Sequence, residues 1–212
     1  MKLNKLTRTG SAVASMALLL GVGLAACGSE DSGAGSEGGS ETTESAPEET
    51  EAAEAGAETF GEGCKLIPAD GAGSFNGMST APVASAASAN PLLKTLVAAV
   101  GEAELVDTLN GADALTVFAP TDDAFKKIPK ADMDAVMADK KMLTKILTHH
   151  VVAGQLGPDE VAGEHKTLAG DTVTVEGSDE KFTVGDEKAQ VLCGNIPTAN
   201  ATVYVVDTVL MP

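Results

Sequence analysis

The chain has 212 residues and a formal net charge of −17, from 31 acidic and 14 basic side chains. This acidic excess argues against a nucleic-acid-binding protein, because nucleic acid requires a basic surface. It also argues against attachment to anionic lipid through charge alone.

The first 26 residues have the organisation of a secretory signal. Lys2, Lys5 and Arg8 form a basic start, and an apolar stretch follows at residues 12–20. This stretch is too short to cross a bilayer as an ordinary transmembrane helix. The order of these features predicts a cleaved signal peptide over residues 1–26 and hence an exported protein.

The end of the signal contains a candidate lipid attachment site. Residues 24–28 read Leu-Ala-Ala-Cys-Gly and resemble a bacterial lipobox. The resemblance implies that the Cys27 thiol receives a diacylglyceryl group, with palmitate-type acyl chains, and becomes the first residue after cleavage. Two or more acyl chains anchor a protein stably, so we expect attachment to the outer face of the cell membrane through Cys27. The alternative is an ordinary cleaved signal with an unmodified cysteine.

Residues 27–62 are predicted to be a disordered stalk. From Gly28 to Glu62 the chain has no Lys or Arg, and removing the signal changes the net charge from −17 to −20. Such a segment cannot bury enough apolar surface to offset the entropy of ordering it. As a flexible coil, its roughly 35 residues would span on the order of 30 Å. The alternative is an acidic interaction tail.

The remaining residues, 63–212, are predicted to form one domain, since about 150 residues are enough for a single substantial core. This domain contains two cysteines, Cys64 and Cys193. With Cys27 assigned to the lipobox, these two cysteines are left, and in an exported protein they are expected to form a disulfide. The bond would close a loop of about 130 residues and stabilise the fold by about 4–5 kcal/mol in the chain-entropy model.

Two helices are predicted before residue 111. Asn90 is a candidate N-cap, and Pro91 suits the first helical position. Apolar residues then recur at helical spacing up to Val100. Gly101 interrupts this pattern, and a second short helix is predicted to continue through Leu109.

Residues 116–125, Thr-Val-Phe-Ala-Pro-Thr-Asp-Asp-Ala-Phe, predict a strand followed at once by a helix. Pro120 has no N–H to donate, so it ends the strand. The Thr121 hydroxyl can then accept a hydrogen bond from the first helical turn. Pro129 ends the helix. We interpret the segment as architecture and not as a reactive site.

The second half of the domain changes from helices to strands. Helices are predicted at residues 132–138 and 140–149, and strands at residues 172–176, 181–184 and 190–193. Residues 202–211 form a nearly unbroken apolar run that is typical of a central strand buried on both faces. Asp207 lies inside this run, so its carboxylate must accept hydrogen bonds or be paired. Helices followed by strands indicate an α+β fold.

Three segments together resemble the fasciclin (FAS1) domain family. They are residues 116–125, residues 147–156 (Leu-Thr-His-His-Val-Val-Ala-Gly-Gln-Leu) and residues 204–212 (Tyr-Val-Val-Asp-Thr-Val-Leu-Met-Pro). Mycobacterial surface and secreted members of the family look similar. The resemblance implies a single wedge-shaped β-sandwich with helices packed along one edge, and structural roles for Thr121, His150 and Asp207. It also implies adhesion or binding at a cell surface, without catalysis.

The chain has three histidines. Neighbouring helical residues point about 100 degrees apart, so His149 and His150 cannot chelate one metal together. His150 lies on an apolar stripe and is predicted to be a core residue held by a hydrogen bond; it matches the histidine of the family's usual Tyr-His pair. His149 replaces the tyrosine. His165 is predicted to lie in a loop, and no zinc spacing, calcium loop or hydrolase nucleophile motif accompanies these residues, so no metal or cofactor is expected.

Three residues at two places in the chain are candidates for partner contact. In animal members of the family, an acidic-Ile segment before the final strand is associated with integrin binding, and Asn195 and Ile196 occupy the matching position here. The acidic residue is missing. His149 is the third candidate residue, since proposals for the family associate the segment around it with partner binding.

These features predict a membrane-anchored surface adhesion module with a monomeric head, whose partner is an unknown surface protein or glycan. One alternative is a lipoprotein that carries a small apolar ligand or serves a transporter. A second alternative is a cell-envelope hydrolase that uses His149 or His165. Whether a lipid-free form is also released stays open.

Overall fold

The structure is a computed structural model that describes residues 55–212. A 3-10 helix at Glu62–Leu66 is followed by the α-helices α1 Phe75–Ser79, α2 Val83–Ala89, α3 Lys94–Glu102, α4 Val106–Asn110, α5 Asp122–Lys126, α6 Lys130–Ala138 and α7 Lys140–His149. The strands are β1 Leu115–Pro120, β2 Val151–Ala153, β3 Gly163–Lys166, β4 Thr172–Ser178, β5 Lys181–Val184, β6 Ala189–Pro197 and β7 Ala201–Val206. The predicted signal peptide, the Cys27 anchor and most of the predicted stalk lie outside the described residues.

The strands form one sheet in the order β2-β1-β7-β6-β5-β4-β3. β1 and β7 pair in parallel, and the other neighbours pair antiparallel. A bridge between Val152, in β2, and Thr167, just after β3, brings the two ends of the sheet together. The sheet is therefore nearly closed.

This curled sheet has a separate core on each side. Tyr204 and Val206 of β7 pack with Phe118 in a core formed by strands, loops and the N-terminal segment. The alternate residues Val203 and Val205 pack on the other side, in a core shared with the helices. Because β7 is buried on both faces, neither face can carry a row of polar side chains. Its continuous apolar sequence is the feature from which a central strand is predicted. The α+β expectation is confirmed. The seven strands form one nearly closed sheet, and the helices pack against one side of it.

Most predicted elements are present with shifted ends. The helix expected from Asn90 begins at Lys94, because the Asn90 side chain accepts the Leu92 N–H at 3.0 Å in a preceding turn. The last strand ends at Val206, five residues earlier than predicted. Asp207 leaves the strand there, and its carboxylate accepts the backbone N–H of Gln190 at 2.8 Å.

The sequence carries no clear signal for α1, α2, β2 or β3. α2 reads Val-Ala-Ser-Ala-Ala-Ser-Ala, which lacks a stripe of large apolar residues. β3 reads Gly-Glu-His-Lys and has no apolar face, so the sequence does not predict it. His165 lies on this strand and not in the predicted loop. Both elements depend on their neighbours in the folded domain for stability.

Candidate functional site

The predicted disulfide between Cys64 and Cys193 is confirmed. The two residues are separated by 129 positions, and their Cα atoms lie 4.9 Å apart. The bond joins the 3-10 helix to β6, which pairs with the buried strand β7. The segment that leads into the domain is therefore fixed to the middle of the sheet.

Residues 58–64, called the N-terminal arm from here on, belong to the folded domain. The Phe60 side chain is 5% exposed, and its ring centroid lies 5.5 Å from that of Phe182 and 6.2 Å from that of Tyr204. The Phe60 N–H donates to the Gly194 carbonyl at 3.3 Å, and the Gly194 N–H donates to the Phe60 carbonyl at 2.8 Å. The expected domain start at residue 63 is therefore corrected to a position before Phe60.

Two glycines leave space for this arm. A Cβ atom on Gly194 would lie 2.3 Å from the Cζ atom of Phe60. Gly61 has a φ of 105°, and a Cβ there would lie 2.3 Å from the carbonyl oxygen of Leu192. Any larger residue at either position would push the arm away from β6.

Asn195 and Ile196, the expected partner-binding residues, have internal roles. Ile196 is 1% exposed and belongs to the core beside the helices, so direct partner contact by its side chain is contradicted. Asn195 has a φ of 57° at an irregularity in β6, and its Nδ2 donates to the Glu58 carbonyl at 3.1 Å. Asn195 therefore helps to hold the N-terminal arm.

His150 is a buried structural residue. Its Nδ1 lies 2.8 Å from the Ile146 carbonyl, and its Nε2 accepts the Leu210 N–H at 2.9 Å. Since Leu210 must donate, the ring proton is on Nδ1, and the neutral tautomer satisfies both contacts. Burial, only partly opposed by the bond to Ile146, lowers the pKa of His150 to about 4. The imidazole joins the end of α7 to the last residues of the chain.

His149 is also buried, at 6% exposure, and its Nδ1 lies 2.7 Å from Asp171 Oδ1. The Thr167 hydroxyl donates to the same carboxylate oxygen. Burial acts to raise the pKa of Asp171, but the hydrogen bonds from Thr167 and His149 outweigh it and keep this pKa below its usual value. The ring has little exposed surface, which contradicts the expectation that His149 directly contacts a partner.

The His149–Asp171 contact ties the end of α7 to the turn between β3 and β4. Sequence reasoning did not identify Asp171, because Ala-Gly-Asp at residues 169–171 looks like ordinary turn material. The third histidine, His165, has its Nε2 2.9 Å from the Val161 carbonyl. Each ring thus contacts a backbone carbonyl or a carboxylate.

Within residues 55–212, no three His, Cys, Asp or Glu side chains come together in a way that could hold a metal ion. No helix in the same part of the chain is long and apolar enough to cross a membrane.

Thr121 caps α5 as predicted. Its Oγ1 accepts the Ala124 N–H at 3.2 Å, and its own N–H donates to the Val206 carbonyl at 3.1 Å. The corner between β1 and α5 is therefore bonded to the end of β7. The fasciclin-like segments at residues 116–125 and 204–212 therefore meet at this point.

Asp207 completes the same corner. Its Oδ1 accepts from the Gln190 N–H at 2.8 Å, and its Oδ2 lies 2.9 Å from Lys127 Nζ. Burial acts to raise the pKa of Asp207, but hydrogen bonds from Lys127, Gln190 and Thr208 keep it below its usual value. The side chain is 29% exposed, so Asp207 lies at the domain surface and not inside the strand.

The described residues enclose small apolar cavities and form one much larger cleft. Cavities of about 60 Å³ and 40 Å³ lie against α7, the first reaching α2–α4 and the second α6. The cleft has a volume of about 740 Å³ and lies between the N-terminal arm, the β4–β5 hairpin and β6. Of these three, the cleft falls within the range of about 300–1,000 Å³ that is typical of ligand sites.

Comparison with known proteins identifies the family. The fasciclin domain model matches residues 91–212. A cell surface glycolipoprotein of Mycobacterium bovis, MPB83, is 48% identical over 164 residues, which cover 74% of this chain and 73% of that protein. The immunogenic protein MPB70 of the same species is 48% identical over 166 residues, covering 74% of this chain and 84% of that protein.

A solved FAS1 domain pair from the insect cell adhesion molecule fasciclin I is 18% identical, covers 56% of this chain and 45% of its own length, and has a TM-score of 0.47. The family model matches more than half of the chain, and the two mycobacterial proteins share nearly half of their aligned residues with it. The chain therefore belongs to the fasciclin domain family.

Proposed function

We propose that this chain is a lipid-anchored binding or adhesion module on the outer surface of a bacterial cell, with no catalytic activity. The observation that carries the proposal is the fasciclin domain together with a relative named as a cell surface glycolipoprotein. The basic start, apolar run and Leu-Ala-Ala-Cys-Gly sequence around Cys27 support export and acylation. The module would contact a protein or glycan of a neighbouring cell, a matrix or a host.

The burial and bonding of the histidines and cysteines discussed above support a binding function over catalysis. Catalysis of acyl transfer needs a nucleophile, a base and an orienting group around an accessible reaction centre. His150 is buried with both ring nitrogens bonded, and His149 is buried against Asp171. Cys64 and Cys193 are joined in the disulfide. These groups stabilise the domain and are poorly placed to react with a substrate.

Carriage of an apolar ligand has less support. The cavity beneath α2–α4 has a volume of about 60 Å³. This volume is far below roughly 300 Å³, the lower end of the range that is typical of ligand sites. A carrier role would require this region to open substantially.

The anchoring part of the proposal can be tested with the full chain in a bacterial host that processes lipoproteins. We expect the wild-type protein to enter the detergent phase, to carry acyl mass at its mature N-terminus, and to be accessible to antibody on intact cells. Cys27→Ala should remove the acyl mass and release the protein to the medium, whereas Ser29→Ala should behave as wild type. Unmodified Cys27 in the mature wild-type protein would contradict lipid anchoring.

The binding part needs a separate readout. Cells that display the wild-type chain should aggregate, or attach to a protein- or glycan-coated surface, more than cells that express Cys27→Ala. Equal attachment by both cell types, despite confirmed display of the wild type, would contradict the adhesion role.

A further inference from the structure

The helix α6 is attached to the rest of the domain through apolar contacts. None of its nine residues is buried, and Met133, Val136 and Met137 are the three that are half-buried. Among the described residues, no hydrogen bond joins α6 to a part of the domain beyond residues 129–139, and the ion pair on its surface is internal to the helix. The position of α6 therefore depends on three apolar side chains.

Methionines surround the small cavity beneath this helix. Five of the seven methionines lie in the part of the chain that the structure describes. Three of these five, Met133, Met137 and Met211, line the cavity of about 40 Å³. Met211 is 49% exposed, and its N–H donates to Glu187 Oε1 at 2.9 Å, which fixes its main chain. Its side chain thus lies at the boundary between the solvent and the cavity.

A methionine thioether is a site of oxidation by peroxides. One oxygen of hydrogen peroxide bonds to the sulfur, the O–O bond breaks and water leaves, so the sulfur is oxidised by two electrons and the peroxide is reduced. The product, a sulfoxide, is polar, and a polar group in an apolar cavity is costly unless it is hydrogen-bonded. Oxidation of a cavity methionine would therefore weaken the contacts that hold α6.

We propose that Met211 is a reversible oxidation site and that its sulfoxide releases α6 from the domain. The Met211 side chain meets solvent, so it reacts before the half-buried Met133 and Met137. Once α6 moves away, these two methionines become accessible and are oxidised in turn. Met142, which is 51% exposed on α7, does not line the cavity, so its oxidation leaves α6 in place. This site goes beyond the proposed binding role and makes the helical side of the domain sensitive to peroxides.

The test treats the full-length purified chain with hydrogen peroxide and follows each methionine by peptide mass spectrometry. We expect Met211 and Met142 to be oxidised first, Met133 and Met137 to follow, and Met78, which is 3% exposed, to be oxidised last. Amide hydrogen exchange in α6 should become at least tenfold faster, while exchange in the buried strand β7 should stay unchanged. Methionine sulfoxide reductases should restore the original exchange of α6.

Two variants form a matched pair, because each replaces one exposed methionine with an apolar residue of similar size that peroxide does not oxidise. Met211→Leu should slow the oxidation of Met133 and Met137 at least threefold. Met142→Leu should leave both rates at the wild-type value. Equal rates of Met133 and Met137 oxidation in the two variants would overturn the proposal.

The exchange measurement is an independent test that needs no variant. Unchanged exchange of α6 in wild-type protein whose Met211 is fully oxidised would also overturn the proposal. Both experiments use the purified chain, so their outcomes are separate from those of the anchoring and attachment experiments on cells.

Discussion

Replacing His150 with glutamine is expected to reduce the acid sensitivity of the fold. The ring is neutral in the folded chain, where its pKa is about 4, and would titrate near 6.5 when unfolded. Between these values the unfolded chain binds a proton that the folded chain does not. The free energy of unfolding is therefore highest above pH 6.5 and falls as the pH decreases toward 4. The difference of about 2.5 pH units corresponds to about 3 kcal/mol.

Glutamine suits this test because its amide does not titrate in this range and its oxygen can accept the Leu210 N–H in place of Nε2. The variant should be about 1–3 kcal/mol less stable at pH 7, since the Ile146 carbonyl loses its ring donor. It should nevertheless lose less stability than wild type on acidification. Carboxylates titrate equally in both proteins, so the difference between them isolates the histidine.

The assay is urea denaturation at pH 7, 6, 5 and 4, followed by far-ultraviolet circular dichroism, because the chain has no tryptophan and one tyrosine. His165→Gln removes a histidine from β3, retains His150, and should keep the wild-type loss of stability between pH 7 and pH 4. Equal losses of free energy in wild type and His150→Gln between pH 7 and pH 4 would refute the reasoning. Nitrogen chemical shifts that show a protonated His150 ring at pH 6 in the folded protein would refute it independently.

Three other changes can be measured by the same denaturation experiment. Gly194→Ala should lower the free energy of unfolding by about 1–3 kcal/mol, because its methyl group would overlap the arm's buried phenylalanine, whereas Gly157→Ala, with open space around it, should have little effect. Cys64→Ser with Cys193→Ser should lower it by about 4–5 kcal/mol, as should reduction of the wild type; a loss below about 1 kcal/mol would contradict the loop-entropy argument. Asp207→Asn should cost about 0.5–1 kcal/mol at pH 7. Because its pKa is lowered by folding, this contribution is complete above the usual carboxyl range and disappears as the pH falls through the folded pKa, so the stabilities of variant and wild type should converge at still lower pH.

Local features of this fold could be predicted from the sequence. The corner after β1 needs a residue without an N–H and then a short hydroxyl side chain, and Pro120 and Thr121 supply both within two positions. β7 is buried on both faces, and its uninterrupted apolar sequence follows directly from that position. The disulfide could be predicted because the sequence indicates an exported protein and leaves two cysteines in the domain, which can pair in one way.

Long-range contacts could not be predicted in the same way. Phe60 lies beside acidic stalk-like sequence, and its role depends on Gly194, which is more than 130 positions away. The Asn195 side chain reaches the Glu58 carbonyl across 137 positions.

The candidate residues that proved to be internal share a physical explanation. A polar side chain within an apolar segment stands out in a sequence, but burial requires that it be hydrogen-bonded, so its partner is usually another part of the same domain. His149 and His150 follow this rule. Asp207 lies at the domain surface, but its carboxylate also bonds within the domain. Contacts with another molecule instead need groups that the fold leaves accessible.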